Sequence, residues 1–547
     1  MDPRPRLHEG RLFAGVTAPN WGHCVAERGE VGYNSAVLSN VRVAEEMMRT
    51  RDHTRLLADL AQAYRDHAPG SRALNDRALE VLIDGGSHSL RLREPFPPRI
   101  VAAQGAWVTD EDGHAILDFW QGHLANVLGH NPPEVTGTLA RALEGGFGLQ
   151  TGFADGLQVE TAELLCRQTN SERVRFTTSG TLATMYAILL SRAFTGRTLV
   201  MKVGGGWHGA QPWALKGVGY HAGEDNGFQH VESAGVPLAV TDKVIVSNFN
   251  DPQRLSDHFR QYGDQLACFI VEPFLGAGGF VPAATEYLQA ARELTERYGA
   301  LLIFDEVISG FRFRAGSLGV LHGIQPDLST YGKVMGGGMP VAAVAGRAEI
   351  MALVGRGASS KVKFSGGTYS AHPASMLSAR TMMTYLVEHE GEIYPRLAEL
   401  GTRARQGMEA AFREEGIYAC TTGHDSGALP GSSMFMLHFP YQEAACVGGL
   451  HEWHNPAVCD VSLRERVLEL ALLLEDVYAL EGHGAVSAAH TEADIEMSLK
   501  ECGQRELQVL QNNLSVLGTI ARIAPLMGLL GTVLGMIGAF EVLSEAG

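Results

Sequence analysis

The alternation of apolar and polar positions changes character several times along the chain. From Val43 to His67, VAEEMMRTRDHTRLLADLAQAYRDH repeats its apolar residues at helical spacing, which predicts an amphipathic helix. After a turn at Pro69-Gly70 a second helical stretch ends near Asp84-Gly85-Gly86. RIVAAQGAWVTDEDGHAILDFW then alternates around Asp112-Gly113, as a hairpin does. Between about 155 and 375, short apolar runs (KVIVSNF, LACFIVEPF, ALLIFDEV) alternate with helical segments such as EYLQAARELTERYGA. That rhythm predicts a mostly parallel sheet covered on both faces, with ligands held at the carboxyl ends of its strands. Residues 376–500 read as mostly helical, broken by a Gly-rich stretch at 423–433, and predict a smaller C-terminal domain. Between Arg522 and Glu541 lie eighteen uncharged residues, just the length of a membrane-spanning candidate. The spacing of Gly531 and Gly535 suits close helix packing in lipid, and a buried Gly-rich tail helix fits the same pattern.

Composition narrows the classes. At 547 residues the chain exceeds one compact core. The expected segments are a leader with helices (1–80), the first part of a small domain (81–150), a large ligand-binding domain (151–375), the rest of the small domain (376–502) and a hydrophobic tail (503–547). A net charge of -17 leaves no basic stripe to replace phosphate counterions, which argues against a nucleic-acid binder. Seven cysteines, at 24, 166, 268, 420, 446, 459 and 502, show neither a CxxC pair nor zinc spacing, so reduced thiols and no metal are expected. The start, MDPRPRLHEGRLFAGV, lacks the apolar run of a secretory signal. A cytoplasmic protein is expected, with membrane contact only through residues 523–540.

Four segments carry candidate chemistry. In FTTSGTLATMYAILLSRAFTGR a strand-like entry meets Ser179-Gly180-Thr181 at a helix start, where backbone amides and hydroxyls bind phosphate; simple helix capping explains the same residues. In ALLIFDEVISGFR, Asp305 follows five apolar residues and so falls at a strand's carboxyl end, placed to pair with a protonated ring nitrogen or merely to cap a turn. In PDLSTYGKVMGGGMP, Lys333 sits among glycines, and a desolvated amine becomes a nucleophile toward an aldehyde; a lysine taken at random is a solvated surface charge. In KVGGGWHGA, three glycines let Trp207 lie on a planar ligand or simply form a turn around a buried Trp.

Taken in order, SGT, GGWHG, VEPF, FDEVISGFR, GKVMGGGMP and SGGTYSAHP resemble the class III aminotransferase family, with the glutamate-1-semialdehyde 2,1-aminomutase branch closest, over about residues 80–500. The resemblance implies the α/β pyridoxal-phosphate fold type I, aspartate aminotransferase-like, with a large mostly parallel-sheet domain and a smaller C-terminal α+β domain. It implies pyridoxal 5'-phosphate as cofactor, a small amino or keto substrate and a homodimer. It makes Lys333 the Schiff-base lysine and proton carrier, and sets Asp305 on the pyridinium nitrogen with Val307 packed on the ring. Ser179, Gly180 and Thr181 would bind the phosphate, Trp207 would stack on the ring with His208 beside it, and Glu272 would line the pocket. Thr368 matches a residue that reaches the phosphate held by the partner subunit.

Departures from the family pattern bear on the substrate. Leu182 stands where the family commonly has Glu, and Ser370 or Ala371 where it has Asn. GGSHSLRLR at 85–93 matches the aminomutase substrate loop only loosely, leaving Arg91 or Arg93 to grip a carboxylate. GGGMP tilts the reading toward the aminomutase, with an intermolecular transaminase as the alternative. The tail, from about 505 to 547, is similar to part of the proton-channel family of MotA, TolQ and ExbB type; a membrane-associated fusion protein is the rival reading from another class.

Overall fold

The computed structural model describes residues 52–498 apart from 224, 415 and 444–449; the start of the helix expected from Val43 and the hydrophobic tail lie outside the described residues. Helix α1 (Thr54–His67) opens the described chain. Strands β1 (Ile100–Gln104), β2 (Trp107–Asp110) and β3 (Ala115–Asp118) then form an antiparallel meander. The expected turn at Asp112-Gly113 is its second turn, where Gly113 takes a φ of 90°.

The large domain is built on β4 (Arg173–Thr177), β5 (Leu199–Val203), β6 (Val244–Ser247), β7 (Leu266–Val271), β8 (Leu301–Glu306), β9 (Leu328–Tyr331) and β10 (Ala342–Gly346). Their order across the sheet is β4-β10-β9-β8-β7-β5-β6. Only β10 runs against the others, pairing antiparallel with both β9 and β4. Every side chain of β5, β7 and β8 is buried, as expected of strands covered on both faces. One cover is α2 (Gly180–Thr195), whose Ala183, Ala187 and Leu190 pack on Val200, Ile270 and Ile303. The other includes α3 (Thr285–Tyr298), whose Leu288 and Ala291 meet Phe269 and Leu302. Each large apolar side chain buried this way contributes about 1.5–3 kcal/mol.

Beyond the sheet, α4 (Pro373–Glu388) and α5 (Glu390–Glu414) lead to a three-stranded antiparallel sheet of β11 (Cys420–Thr422), β12 (Met434–His438) and β14 (His483–Ala485). The short strand β13 (Val477–Tyr478) pairs parallel with β3 and so joins the C-terminal part to the N-terminal meander. These strands fall where helix was expected: each is two to five residues long, too short to impress a period on the sequence. Cys166, Cys268 and Cys459 carry free thiols, whereas Cys420 is disulfide-bonded, which corrects the expectation of uniformly reduced cysteines. Among the described residues no helix is long and apolar enough to cross a membrane.

Candidate active site

A cavity of about 480 Å³ opens at the carboxyl ends of the parallel strands, where the topology places ligands. Ser179, Gly180, Thr181, Trp207, His208, Glu272, Asp305, Val307 and Lys333 all line it. They come from five different strand ends, so only the sheet's register brings them together. Gly122, Ala125 and Asn126, from the turn after β3, close one side; Met339 and Pro340 enter before β10.

Asp305 anchors the floor. Strand alternation turns it toward the cavity and Glu306 the other way, where Glu306 accepts from Ser317 Oγ and the Leu318 amide, both at 2.6 Å. Asp305 is buried, and Thr330 Oγ donates to its Oδ1 at 2.8 Å, the Val307 amide reaches the same oxygen at 3.2 Å, and His208 Nδ1 lies 2.8 Å from its Oδ2. Thr330 is Asp305's direct neighbour on the adjoining parallel strand. His208 is buried as well, its carbonyl held by Thr184 Oγ at 2.6 Å, and burial lowers its pKa despite the Asp305 carboxylate. Its Nε2 has no hydrogen-bond partner.

Lys333 begins a short turn just past β9 and holds a left-handed φ of 46°, a strained setting for a lysine. Burial lowers its pKa, while the Asp305 and Glu272 carboxylates pull it up; burial wins. Glu272 is raised, chiefly by burial and then by Asp305; its two oxygens accept from the amides of Trp207 at 2.9 Å and Gly276 at 3.0 Å. Trp207 itself is about a third exposed at the rim. The loop it sits on is tied down from behind by Lys202, a fully buried lysine whose Nζ donates to the carbonyls of Gly206 at 2.7 Å and Ala214 at 3.0 Å.

Opposite this floor, α2 begins. Ser179 caps it by accepting from the Leu182 amide at 3.3 Å, and Gly180 and Thr181 line the cavity in its first turn, where helix amides have no partner within the helix. Gly180 permits close approach: a Cβ there would lie 2.9 Å from Val307 Cγ1. Gly209, with a φ of 83°, packs as tightly on Thr181.

Three residues singled out in the sequence lie apart from this lining. Arg91 is exposed, but its Nε donates to His123 Nε2 at 3.1 Å, beside Gly122 of the cavity wall. Burial first lowers the pKa of both His88 and His123; the charge of Arg91 adds to it at His88, and those of His88 and then Arg91 at His123. Arg93 is not brought to the cavity: its guanidinium pairs with the buried Glu469 and with Glu481. Thr368 is exposed and lines no part of the pocket of its own chain. The sequence reading missed Thr330, Gly122 and Asn126. Thr330 is announced only by strand register, and the turn at 121–124, with positive φ at Gln121, His123 and Leu124, carries no motif.

Residues 91–418 match the family described as Aminotransferase class-III, and residues 470–547 match the MotA/TolQ/ExbB proton channel family. The chain is 34% identical over 461 residues to the glutamate-1-semialdehyde 2,1-aminomutase of Halobacterium salinarum, covering 79% of this chain and 98% of that one. It is 37% identical over 444 residues to the protein of the same name from Laribacter hongkongensis, with the same coverage of 79% and 98%. An omega-transaminase structure from Sphaerobacter thermophilus superposes with a TM-score of 0.72 at 31% identity, covering 81% of this chain and 98% of that one.

Proposed function

Because the chain belongs to the class-III aminotransferase family, we propose that it moves an amino group on a small amino-aldehyde or keto substrate with pyridoxal 5'-phosphate, as a glutamate-1-semialdehyde 2,1-aminomutase does. The observation that carries this reading is the single cavity in which an amine of lowered pKa, a braced carboxylate and a helix N-terminus converge.

The donor set fits the cofactor. An aldehyde needs a nucleophilic amine, and Lys333 supplies one. A pyridinium nitrogen needs a carboxylate, and Asp305 is braced by three neighbours. A phosphate needs converging amides at positive helix ends, as at Ser179, Gly180 and Thr181. When bound, the cofactor supplies an aldehyde that condenses with amines and a conjugated ring that takes up the electron pair released at the nitrogen-bearing carbon.

The protein's own residues do the rest. Lys333 Nζ, as a free amine, would take the proton from the nitrogen-bearing carbon of the substrate and return it to a neighbouring position. Asp305 would hold the ring nitrogen of the cofactor, and Thr330 and His208 fix the carboxylate's orientation. Val307 and Trp207 line the cavity and would flank the cofactor ring, while Glu272 accepts from the Trp207 amide and lines the pocket. Arg91, at the mouth near His123, is the candidate grip for a substrate carboxylate.

The omega-transaminase neighbour keeps the intermolecular alternative in play. Purified protein is given glutamate-1-semialdehyde alone, and then an amine with a keto acid. Turnover in the first assay is expected; turnover only in the second overturns the aminomutase reading. Borohydride reduction followed by peptide mapping is expected to mark Lys333, and a reducible chromophore that survives Lys333→Ala removes the assignment of the whole pocket.

A homodimer is part of the same proposal. Val81, Ile83, Leu149, Phe153 and Tyr369 leave large apolar side chains exposed, and Thr368 lies beside the last of these, free to reach a second copy's phosphate site. Sedimentation is expected to give twice the chain mass. The tail has no proposed part in the chemistry: a protein ending at residue 504 is expected to stay active and cytoplasmic, and loss of activity on that deletion favours the membrane-associated reading.

A further inference from the structure

We propose that His67, His114 and Asp476 form a binding site for one divalent transition-metal ion of the zinc class, outside the cavity. Three distant segments converge there: the last residue of α1, the turn between β2 and β3, and the residue before β13. One ligand atom from each lies within 4.8 Å of the other two. A tetrahedral zinc ion with bonds of about 2.0–2.1 Å holds its donors roughly 3.3 Å apart, so a reorientation of the His67 ring closes the set.

One observation sets this cluster apart from ordinary packing. His67 Nε2 and Asp476 Oδ1 face each other at 3.5 Å, both shielded from solvent, and neither makes a hydrogen bond. They meet as an ion pair without hydrogen-bond geometry, and a cation between them would give each atom the directed bond it lacks. The imidazoles of His67 and His114 stack, with centroids 4.0 Å apart and planes 10° from parallel, so the His67 ring must turn out of the stack for both rings to meet one ion in plane.

The surroundings are built as metal sites are built. Asp110, itself buried, holds His114 Nδ1 through Oδ2 at 2.9 Å, leaving Nε2 for an ion; an outer carboxylate on a ligating imidazole fixes its tautomer and raises its basicity. Asp110 is fixed in turn by the amides of Asp112 at 3.0 Å and His114 at 2.8 Å. Asp112 accepts from the amides of Gly70 and Ser71, binding the same turn to the helix after α1. Asp476 holds a left-handed φ of 55°, a sparsely populated setting kept while its carboxylate faces the histidines. Two imidazoles and one carboxylate leave a fourth position for water and select zinc-like ions over calcium or magnesium. None of the three residues lines the active-site cavity, so the ion would clamp the N-terminal helix to the mixed sheet.

The test uses full-length, untagged protein stripped with chelator and titrated with Co²⁺. One equivalent is expected to bind with the visible bands of a low-coordinate ion, and Zn²⁺ is expected to bleach them. His114→Gln and Asp476→Asn should each lose that equivalent, while His221→Gln, in the separate cluster of His221, His230 and Glu232, keeps it. No binding by the wild-type protein, or an unchanged spectrum in both variants, overturns the proposal. Should the variants misfold, carbethoxylation of wild-type histidines decides: Zn²⁺ is expected to protect His67 and His114, and equal modification with and without it refutes the site.

Discussion

Replacing Gly180 with alanine pits two effects against each other. Gly180 is the first helical residue of α2 and its φ is not left-handed, so alanine is free to adopt its backbone and gains up to about 1 kcal/mol in helix propensity. The new methyl, however, would lie 2.9 Å from Val307 Cγ1 and 3.1 Å from Cγ2. Carbon atoms pack at about 3.5–4.0 Å, so the shortfall is roughly 0.6 Å. Val307 has little room to retreat: β-branched residues are stiff at χ1, and its amide is bonded to Asp305 at 3.2 Å. Overpacking of this kind costs about 1–3 kcal/mol, so the clash outweighs the propensity. With an unfolding entropy of about 2.1 cal/mol/K per residue, a chain this long loses only about 1 °C of Tm per kcal/mol, so a melting curve reads the effect poorly. Cofactor affinity reads it directly, because Val307 moves into the cavity. About 1.4 kcal/mol of the clash expressed there is a tenfold rise in Kd for pyridoxal phosphate. The double variant Gly180→Ala/Val307→Ala removes the clash, and the cycle is expected to show coupling of about 1 kcal/mol. Affinity within twofold of wild type in Gly180→Ala, or a double variant no better than that single one, refutes the steric argument.

Other expectations follow from the same contacts. Thr330→Val is nearly isosteric and removes the hydroxyl held 2.8 Å from Asp305; kcat is expected to fall about tenfold with little change in KM, from a charged hydrogen bond worth about 1.5–3 kcal/mol, and Thr330→Ser to restore it. Unchanged kcat in the valine protein counts against Asp305 needing that brace. Burial depresses Lys202 to about 7 from an ordinary 10.5, so the unfolded chain binds the extra proton between those values. Stability is therefore expected to rise with pH across that window, by up to about 1.4 kcal/mol per unit, and to fall as pH drops toward 7. Urea unfolding at pH 7.5 and 9 should show this slope in the wild-type protein and a smaller one in Lys202→Met. Arg93→Met should destabilise the protein by about 1–3 kcal/mol, because Glu469, pushed up to about 8 by burial even beside Arg93, loses the charge and hydrogen bond that offset its desolvation. KM for the substrate should stay within twofold; a large rise would return Arg93 to the substrate site.

What the sequence disclosed follows how local each signal is. The strands LACFIV and LLIFDE are buried on both faces and so read as unbroken apolar runs. Asp305 and Lys333 were legible because strand ends and glycine clusters mark them without knowledge of the partner strand. Thr330 was not, because its role depends on the register that sets it beside Asp305. Arg91 and Arg93 look alike in RLR, yet one turns to His123 and the other to Glu469, a residue 376 positions later in the chain. The C-terminal part is mostly helical, as read, but β11 to β14 were not individually legible: strands this short are held by their neighbours, not by their own pattern.

The lysine illustrates why one fold feature cannot be moved without the others. Burial lowers its pKa and the Asp305 and Glu272 carboxylates raise it; the site sets the two against each other with burial ahead, which favours the free amine relative to an exposed lysine. Holding that amine in place requires the left-handed backbone at Lys333, which costs on the order of 1–3 kcal/mol. The turn bears this because Val334, Met335 and Gly336 are buried beneath it and Ser378 of α4 donates to the Gly336 carbonyl at 2.8 Å. The chemistry at one nitrogen thus draws on a helix that never touches the cavity, and loosening α4 would act on Lys333 through its backbone before it disturbed any group in the pocket.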